Sequence, residues 1–434
     1  MTVPVDLTLS GPHALRGRLR VPGDKGMSHR ALLFGAMADG RSRVVGLAGG
    51  DDVFRTRRAL TQLGVRSTIA GSAVTIEGHG VEAFTEPARI VDCGNSGTTI
   101  RLLSGLLAGR DFLTVLTGDD SLVQRPMGRV VQPLRAMRAH VDGRAAGTLP
   151  PLAIRGGGLV GTTHQLPVAS AQVKTALVLA GLQADGSTQI TEPATSRDHT
   201  ERMLAALGAP VIRVDERAVL VTAGAPGPLD FDVPGDPSSA AFWVVAATIT
   251  PGSELVVEDV ALNPTRIAFV DVLARMGASI ETVTTGERLG EPVGELRVVA
   301  APLHGTTVEG AQIPWLIDEI PALAVAAAFA DGVTEFRDAA ELRVKESDRI
   351  STVGDLLGRL GIAVESGADH LVVRGGRPVG AHLDSHGDHR VAMAGAIAAN
   401  ALEGDTVVRN WRAVTSSYPE FTQDLATLTG RAAL

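Results

Sequence analysis

The stretch Leu60-Thr-Gln-Leu-Gly64 is the first of six variants of one short pattern, in which a leucine is followed three residues later by Leu or Met. Leucine at i and i+3 directly before Gly is typical of the end of an amphipathic helix that is terminated by glycine. The other five variants begin 68 to 84 residues apart, at Leu134, Leu204, Leu273, Leu357 and Leu425. Six occurrences at a nearly constant interval predict an internal repeat.

A second series of segments runs in phase with the first. In each segment a polar cluster leads into a run of small apolar residues without a polar face, which is typical of a buried helix. The six clusters begin at Ser28, Ser96, Ser170, Ser238, Asp318 and Asp388. Because Ser and Asp are good N-cap residues, we expect a buried helix to begin at each, with Asp318 taken by itself as a helix cap. Residues 67–69, 73–77 and 218–222 have the alternating or β-branched pattern of strands.

Each repeat therefore holds one buried helix, one amphipathic helix and several strands, which predicts an α/β fold. Three repeats make a domain of ordinary size, so the simplest architecture has two domains of three repeats each. Two similar turns, Val21-Pro-Gly-Asp24 and Val233-Pro-Gly-Asp236, precede the first and fourth repeats. We expect the chain to cross between domains there. This gives a split domain, residues 1–22 plus 235–434, and an inserted domain, residues 23–234.

Composition removes several classes of protein. Of the 434 residues 44% are hydrophobic and 20% charged, enough apolar material for packed cores. The net charge of −8 and the lack of a Lys/Arg-rich block argue against a nucleic-acid binder. A single cysteine, Cys93, excludes a disulfide framework and a cysteine-based metal site. No signal-peptide pattern opens the chain and no apolar run reaches membrane length, so we expect a soluble, cytoplasmic protein.

Basic residues gather where the buried helices are expected to begin. The cluster Asp24-Lys25-Gly26-Met27-Ser28-His29-Arg30 is one example. Further basic residues near predicted helix starts are Arg101, Arg125, Lys174, Arg197, Lys345, Arg349 and Arg390. A helix N-terminus carries unpaired N–H groups and partial positive charge, so this set favours a small polyanion bearing phosphates or carboxylates. Carboxylates placed among such residues, as at Asp318 and Glu346, can also act as general base and acid.

Other kinds of site are less well supported by the residues. No G-x-x-x-x-G-K-[ST] motif occurs, which argues against a P-loop nucleotide enzyme. His386, Asp388 and His389 are close in sequence, but a capped helix start explains Asp388 better than a metal site. Cys93 is equally well interpreted as a nucleophile or as a small buried residue at the end of a strand.

Nine segments of the chain resemble one known family, 5-enolpyruvylshikimate-3-phosphate synthase. These segments are residues 22–30, 94–98, 125–127, 170–174, 197–201, 235–239, 341–349, 388–390 and 417–421. They occur in the family's order and cover essentially the whole chain. Ser-Ala-Gln at 170–172 and Val-Lys-Glu-Ser-Asp-Arg at 344–349 are closer to a bacterial subgroup than to the plant-like one.

The resemblance implies a fold and a reaction. The fold has two domains, each of three βαβαββ units, joined by two crossings and closing over substrate. The reaction transfers the enolpyruvyl group of phosphoenolpyruvate to the 5-hydroxyl of shikimate 3-phosphate and releases phosphate, a step of chorismate and aromatic amino acid biosynthesis. No metal or organic cofactor is required, and the resemblance implies a monomer.

The resemblance also implies site residues. Shikimate 3-phosphate would be held by Lys25, Gly26, Arg30, Ser170, Ala171, Gln172, Arg197, Asp318 and Lys345. Phosphoenolpyruvate would be held by Lys25, Gly97, Arg125, Gln172, Arg349 and Arg390. The catalytic residues would be Lys25, Asp318, which takes the hydroxyl proton, and Glu346, which delivers a proton to the methylene carbon of phosphoenolpyruvate.

The chain departs from the family pattern at Gly26, where relatives usually have Ser. One hydroxyl contact is thereby lost, so we expect weaker binding of shikimate 3-phosphate with activity retained. Gly97 lies where substitutions are associated with insensitivity to the inhibitor glyphosate, so the resemblance does not predict the glyphosate response. Two alternatives stay open. One is a UDP-N-acetylglucosamine enolpyruvyl transferase, which usually has a cysteine in a mobile loop; Cys93 lies in the wrong motif to be that cysteine. The other is a non-catalytic phosphometabolite-binding paralogue.

Overall fold

The computed structural model of the protein describes residues 4–432. Twelve α-helices of eight residues or more occur in this range. They are α1 (Lys25–Met37), α2 (Asp51–Gln62), α3 (Gly97–Leu107), α4 (Gly128–Ala136), α5 (Ala171–Gly181), α6 (His199–Ala206), α7 (Pro237–Ile249), α8 (Ala268–Arg275), α9 (Ile320–Ala328), α10 (Arg349–Arg359), α11 (His389–Ala401) and α12 (Phe421–Thr429). The odd-numbered helices are the predicted buried ones and the even-numbered helices are the predicted amphipathic ones.

The strands of residues 4–432 are short. They are β1 (Leu7–Gly11), β2 (Arg16–Arg20), β3 (Asp39–Val45), β4 (Arg66–Ala70), β5 (Ala73–His79), β6 (Val91–Asp92), β7 (Leu113–Thr117), β8 (His140–Gly143), β9 (Leu149–Arg155), β10 (Thr163–Gln165), β11 (Ser187–Thr191), β12 (Val211–Arg213), β13 (Ala218–Thr222), β14 (Asp230–Asp232), β15 (Glu254–Ala261), β16 (Ser279–Arg288), β17 (Glu291–Val299), β18 (Thr307–Val308), β19 (Val333–Phe336), β20 (Ala363–Ser366), β21 (Leu371–Arg374), β22 (His382–Asp384) and β23 (Gly404–Arg409). The three predicted strand segments lie within β4, β5 and β13, so these predictions are confirmed.

These strands form six small sheets, one for each predicted repeat. Their strand orders are β14-β3-β5-β4, β6-β7-β9-β8, β10-β11-β13-β12, β16-β17-β15-β2, β18-β19-β21-β20 and β1-β23-β22. Each sheet contains one parallel pair, such as β6 with β7 or β10 with β11, and in four sheets a buried helix lies in the connection between the two strands. In the other two sheets the parallel partners are far apart in the chain: β3 pairs with β14, and β2 pairs with β15. The α/β class and the sixfold repeat are confirmed.

By its internal contacts the chain divides into two compact units. Unit 1 comprises residues 1–22, 234–286 and 292–434, and unit 2 comprises residues 23–233 and 287–291. Each unit contains three of the sheets. Residues 287–291, which lie at the turn between β16 and β17, fall in unit 2, whereas the sequence analysis assigns them to the split domain. A turn of this length leaves no mark on the pattern of repeats.

The odd-numbered helices are buried because small apolar residues lie on every face of the helix. Every residue of α7 and of α9 is buried, and α9 reads Ile-Pro-Ala-Leu-Ala-Val-Ala-Ala-Ala. Small side chains allow the close approach of neighbouring backbones that a core with few aromatic residues requires. Within residues 4–432, no helix combines the length and the apolar character needed to cross a bilayer.

The ends of the helices explain the repeated sequence pattern. Gly64 follows α2 with φ +90°, a left-handed conformation in which glycine pays no steric penalty. Arg138 adopts φ +74° at the same position after α4, which is why that variant of the pattern lacks glycine.

At the other end, three of the predicted caps are confirmed. Ser96, Ser170 and Asp388 cap α3, α5 and α11 and accept backbone N–H bonds there. Two were wrong. Helix α1 begins three residues before Ser28 and is capped by Asp24, and α7 begins before Ser238 and is capped by Asp236. In both cases an acidic residue shortly upstream offers the first helical N–H groups an acceptor.

Candidate active site

In unit 2 the predicted site residues lie at the starts of buried helices. Lys25 and Gly26 open α1, Gly97 opens α3, and Ala171 and Gln172 open α5. Arg125 and Arg197 lie in the loops that lead into α4 and α6. The first backbone N–H groups of a helix have no partner within the helix, so these positions favour anions.

Gln172 links the starts of α5 and α3. Its amide oxygen accepts a hydrogen bond of 2.6 Å from Arg101 Nη1, and its amide nitrogen donates one of 2.9 Å to Thr98 Oγ1. Both partners lie on α3, so the two bonds fix the orientation of the Gln172 amide against that helix. Next to them, a Cβ atom added to Gly97 would lie 2.9 Å from Arg101 Nη1 and 3.2 Å from Arg125 Nη1. The missing side chain of Gly97 thus leaves space for two guanidinium groups.

Arg125 is oriented through a second amide, that of Asn95. Arg125 Nη2 donates a 2.7 Å hydrogen bond to Asn95 Oδ1, and Asn95 Nδ2 donates a 2.8 Å bond to Asp119 Oδ2. The other carboxylate oxygen of Asp119 accepts the backbone N–H of Leu122 at 2.8 Å. Asp119 therefore ties the loop before α3 to the loop that carries Arg125.

Arg30 lies on α1, one turn after the helix start. Its Nη2 and Nε donate bonds of 2.7 Å to the hydroxyl oxygens of Thr175 and Thr200, and its Nη1 donates a bond of 3.0 Å to the Gly26 carbonyl. A Cβ atom on Gly26 would lie 3.4 Å from Arg30 Nη1 and no closer than 3.2 Å to any atom. A small side chain at position 26 therefore needs shifts of only a few tenths of an ångström.

Lys25 and His29 complete the start of α1. Lys25 Nζ lies 3.1 Å from Asp52 Oδ2 of α2. His29 is fully buried and shares a 2.7 Å hydrogen bond with Thr56. Burial, with further contributions from Lys25 and Arg30, lowers the pKa of His29 to about 3 although Asp52 opposes the shift. His29 is therefore neutral at neutral pH and does not serve as a proton donor.

In unit 1 the predicted site residues converge on one guanidinium group. Arg349 opens α10 and its side chain is 1% exposed. Arg349 Nη1 lies 3.2 Å from Asp318 Oδ1, and Arg349 Nη2 lies 2.6 Å from Glu346 Oε2. The two predicted proton-transfer groups are thus held by the two ends of a single arginine fork.

Asp388 holds the Arg349 side chain through a third contact. Its Oδ2 accepts a bond of 2.9 Å from Arg349 Nε and one of 3.0 Å from Ser347 Oγ, while Oδ1 accepts the Arg390 backbone N–H at 2.9 Å. Burial opposes the charge on Asp388, but Arg349 and His389 hold the pKa of this carboxyl below its usual range. Asp388, Asp318 and Glu346 in turn raise the pKa of Arg349 against the effect of burial. The buried ions are therefore charged and mutually fixed.

Two further cations face Asp318. Lys345 Nζ lies 3.7 Å from Asp318 Oδ1, and Arg390 Nη1 donates a 3.0 Å hydrogen bond to the Asp318 backbone carbonyl. The interpretation of Asp318 as only a helix cap was wrong, because its carboxylate faces three basic side chains. A carboxylate at such a position can accept a proton from a hydroxyl group. The cations around it can bind the anionic groups of a substrate.

Two interpretations from sequence are decided by burial. The sequence predicts Lys174 as one of the anion-binding residues, but its side chain is 3% exposed, and its Nζ lies 2.6 Å from Glu192 Oε2 and 2.8 Å from Glu201 Oε1. That prediction was wrong, because two buried carboxylates already occupy the ammonium group. Cys93 is fully buried, and burial raises the pKa of its thiol. This favours the structural interpretation of Cys93 over the nucleophilic one.

Asp388 and His386, two of the three residues whose proximity in sequence suggests a metal site, have other partners. Asp388 binds Arg349, and the exposed His386 lies 3.3 Å from Asp355. Among residues 4–432 no group of three or more His, Cys, Asp or Glu side chains is arranged to hold a metal ion.

Sequence reasoning missed the residues that orient the site arginines. The sequence assigns no role to Asn95, although it lies in one of the resembling segments, and none to Asp119. It also does not predict the contact between Asp388 and Arg349. Each joins segments that are distant in sequence, so no local pattern reports the contact. The one available signal was that Asn95 and Asp119 follow, within three residues, the ends of β6 and β7, which are neighbouring parallel strands of one sheet.

Six α/β repeats, basic residues at the starts of buried helices and two carboxylates on one arginine define a class: an enzyme for small anionic substrates. The family model described as EPSP synthase (3-phosphoshikimate 1-carboxyvinyltransferase) matches residues 9–425. The chain is 51% identical over 428 residues to the 3-phosphoshikimate 1-carboxyvinyltransferase of Synechococcus sp. (strain JA-3-3Ab), with 97% of this chain and 96% of the relative covered. It is 49% identical to that of Desulforudis audaxviator, covering 97% and 99% of the two chains.

Among solved structures, the EPSP synthase of Acinetobacter baumannii matches with a TM-score of 0.87 at 40% identity, covering 98% of both chains. The chain therefore belongs to the EPSP synthase family, and it is a transferase of aromatic amino acid biosynthesis.

Proposed function

We propose that this chain transfers the enolpyruvyl group of phosphoenolpyruvate to the 5-hydroxyl of shikimate 3-phosphate. One observation carries the proposal: Arg349 holds Asp318 and Glu346 at 3.2 and 2.6 Å, so that a base and an acid are positioned by the same group. The membership of the family, whose relatives are named for this reaction, supports the same assignment.

Asp318 and Glu346 have complementary roles in the addition step. Asp318 removes the proton of the 5-hydroxyl while the hydroxyl oxygen bonds to C2 of phosphoenolpyruvate. Glu346 delivers a proton to C3, which becomes a methyl group. The developing positive charge on C2 is stabilised by nearby carboxylates, and the product is a tetrahedral intermediate that still carries the phosphate.

The elimination step reverses the proton transfer at carbon. Glu346 takes a proton back from the methyl group, the C2–C3 double bond forms again, and phosphate leaves with the electron pair of the C2–O bond. We assign Lys25 to the stabilisation of the charge on the phosphate as it leaves. Positive charge at a developing anion lowers the barrier most when the group is already in place.

The remaining site residues bind the two substrates. We assign shikimate 3-phosphate to one set: Lys25, Gly26, Arg30, Ser170, Ala171, Gln172, Arg197, Asp318 and Lys345. We assign phosphoenolpyruvate to a second set: Lys25, Gly97, Arg125, Gln172, Arg349 and Arg390. Bringing two highly anionic substrates together requires cations and helix N-termini to offset their repulsion, which both sets provide.

Phosphate release by the purified protein tests the reaction. We expect release with phosphoenolpyruvate and shikimate 3-phosphate, and none when UDP-N-acetylglucosamine is the acceptor. Release only with UDP-N-acetylglucosamine would assign the chain to the related enolpyruvyl transferase. A folded sample that binds shikimate 3-phosphate without any release would be a non-catalytic paralogue.

We further propose a cytoplasmic monomer whose domains meet at residues 22/23 and 234/235. The two similar Pro-Gly turns at these positions support the boundaries. Sedimentation of the purified protein tests the monomer, and localisation of a tagged chain tests the compartment. Separate expression of residues 23–234 tests whether the inserted domain folds on its own.

A further inference from the structure

Unit 2 contains a buried triad of charged residues: Lys174, Glu192 and Glu201. Their side chains are 3%, 1% and 8% exposed, and Lys174 Nζ lies 2.6 Å from Glu192 Oε2 and 2.8 Å from Glu201 Oε1. Burial opposes the charge on Lys174, but Glu201 and Glu192 raise the pKa of this amine above its ordinary value. The triad is therefore an ionic cluster inside unit 2, and none of its members has a role in the reaction proposed above.

Stability does not account for such a cluster. Removing two carboxylates and an ammonium from water carries a large desolvation cost, and an apolar replacement of similar volume is often equally or more stable. The second oxygen of Glu201, Oε2, is buried without a hydrogen-bond partner, which adds to the cost. What a fixed ionic cluster supplies is geometry, since each member holds the others in one arrangement.

Glu192 connects the triad to the candidate active site. It directly follows β11, and its Oε1 accepts a 3.1 Å hydrogen bond from the backbone N–H of Ser170. Ser170 is the N-cap of α5 and the first residue of the Ser170–Gln172 segment, which we assign to shikimate 3-phosphate. One carboxylate thus holds the buried lysine with one oxygen and the backbone of the binding segment with the other.

Residues adjacent in sequence to Lys174 and Glu201, on α5 and α6, hold Arg30. Thr175 follows Lys174 on α5, and Thr200 precedes Glu201 on α6. The two threonine hydroxyl groups share a 2.6 Å hydrogen bond, and each accepts one from Arg30. The triad and the threonine pair are thus adjacent along α5 and α6, and the threonines hold a cation that we also assign to shikimate 3-phosphate.

We propose that Glu192 is a positioning residue for shikimate 3-phosphate, and that Lys174 and Glu201 hold it in place. Glu192 does not touch the substrate; it fixes the Ser170 backbone, and with it the start of α5. This inference rests on the proposed function, because it assigns Ser170 to that substrate. Gln172 of this segment is also assigned to phosphoenolpyruvate, but its amide is held by Arg101 and Thr98 of α3, so we expect the larger effect on shikimate 3-phosphate.

The test compares Glu192→Met with Glu201→Gln. Glu192→Met keeps the volume but removes both acceptor oxygens, and we expect the KM for shikimate 3-phosphate to rise about tenfold. The KM for phosphoenolpyruvate, measured at saturating shikimate 3-phosphate, and kcat should each stay within about twofold of the wild-type values. Glu201→Gln removes the same amount of charge but retains an oxygen for Lys174, so both KM values should be unchanged.

Three results separate the explanations. An unchanged KM for shikimate 3-phosphate in a folded Glu192→Met variant overturns the inference, as does an equal rise in both variants, which would show an effect of charge alone. Equal rises in the two KM values of Glu192→Met would show general damage to the site and would also overturn it. Wild-type protein that releases no phosphate overturns the proposed function itself and this inference with it.

A milder variant keeps the test decisive if Glu192→Met does not fold. Glu192→Gln retains one acceptor oxygen that must serve either Ser170 or Lys174, so an intermediate rise in the KM for shikimate 3-phosphate is expected. Hydrogen exchange at the Ser170 amide should be faster in this variant than in the wild-type protein and in Glu201→Gln. Equal exchange rates in all three proteins would contradict the link between Glu192 and the binding segment.

Discussion

The candidate site arginines of unit 2 and of unit 1 have different kinds of partner. In unit 2, Arg30 donates to threonine hydroxyl oxygens and a backbone carbonyl, and Arg125 donates to the amide of Asn95. In unit 1, Arg349 is bound to the carboxylates of Asp318, Glu346 and Asp388. Uncharged partners orient a guanidinium group without cancelling its charge, whereas carboxylate partners cancel it and are themselves held in place.

The difference indicates a division of labour. Arg30 and Arg125 of unit 2 are oriented by hydroxyl, carbonyl and amide oxygens, and we assign them to the binding of anions. Arg349 serves chiefly to arrange carboxylates that transfer protons. If this is correct, substitutions in unit 2 should change binding, and substitutions around Arg349 should change turnover or folding.

The largest effect is expected from the proton-transfer groups of unit 1. Asp318→Asn and Glu346→Gln keep shape and hydrogen bonding but remove the acid–base function, so kcat should fall by a factor of about 10² to 10⁴. The KM values should change little, since the cations around these residues remain. Steady-state phosphate release measures both parameters, and a kcat within threefold of the wild-type value in both variants would refute the roles assigned to them.

A pair of arginine substitutions compares the two units directly. Arg349→Ala leaves three carboxylates close together without their shared cation, and we expect the free energy of unfolding to fall by about 3 to 5 kcal/mol. Arg125→Ala removes a cation that is bound to an uncharged amide, so stability should change far less while the KM for phosphoenolpyruvate rises. Urea denaturation and steady-state kinetics supply the two measurements; equal losses of stability would remove the contrast.

The neutral, buried His29 predicts a dependence of stability on pH. Its pKa of about 3 in the folded protein lies below the ordinary value, so between about pH 6.5 and 3 the unfolded chain binds more protons than the folded one. Folding stability due to this group therefore falls as the pH falls, by about 1.4 kcal/mol per pH unit. His29→Asn, which keeps a polar partner for Thr56, should remove this part of the slope in urea denaturation at pH 5 to 6. An identical slope in both proteins would contradict the assignment.

Gly97→Ala should affect one substrate. The added methyl group would lie 2.9 Å from Arg101 Nη1 and 3.2 Å from Arg125 Nη1, so both guanidinium groups must move. We expect the KM for phosphoenolpyruvate to rise about tenfold, which corresponds to ~1.4 kcal/mol of lost binding, with a much smaller change for shikimate 3-phosphate. A larger change for shikimate 3-phosphate would show that the two substrates have been assigned to the wrong residues.

The smallest effect is expected at Gly26. A Cβ atom there meets nothing closer than 3.2 Å, so Gly26→Ser fits and adds a hydroxyl beside Arg30. One uncharged hydrogen bond contributes about 1 kcal/mol, so the KM for shikimate 3-phosphate should fall about fivefold. Gly26→Ala is the matched control, because it adds the same carbon without the oxygen. Equal effects of both substitutions would show that the hydroxyl contributes nothing.

The fold was more predictable than the site because each repeat is marked by short sequence patterns of neighbouring residues. Each Leu-x-x-Leu/Met pattern marks the last turn of an even-numbered helix, and each run of small apolar residues marks an odd-numbered one. Helix starts were less certain, since Asp24 and Asp236 competed with the serines that follow them. The nine resembling segments also located most candidate site residues.

The arrangement of partners around those residues could not be predicted. Lys174 looks like any other lysine near a helix start, and only burial against Glu192 and Glu201 distinguishes it. Likewise, Asn95 and Asp119 are 24 residues apart, and the hydrogen bond between them depends on how two strands of one sheet end. Such contacts arise from tertiary packing, which no local pattern encodes.

Solvent deuterium offers the most direct test of the central claim, that the carboxylates held by Arg349 transfer protons while Arg30 binds shikimate 3-phosphate. In D₂O the wild-type protein with both substrates should place deuterium in the methylene group of recovered phosphoenolpyruvate, because proton delivery to C3 is reversed before phosphate leaves. Glu346→Gln should lose this exchange but still bind shikimate 3-phosphate with wild-type affinity, whereas Arg30→Ala should bind it more weakly. Wild-type exchange rates in Glu346→Gln would contradict the account.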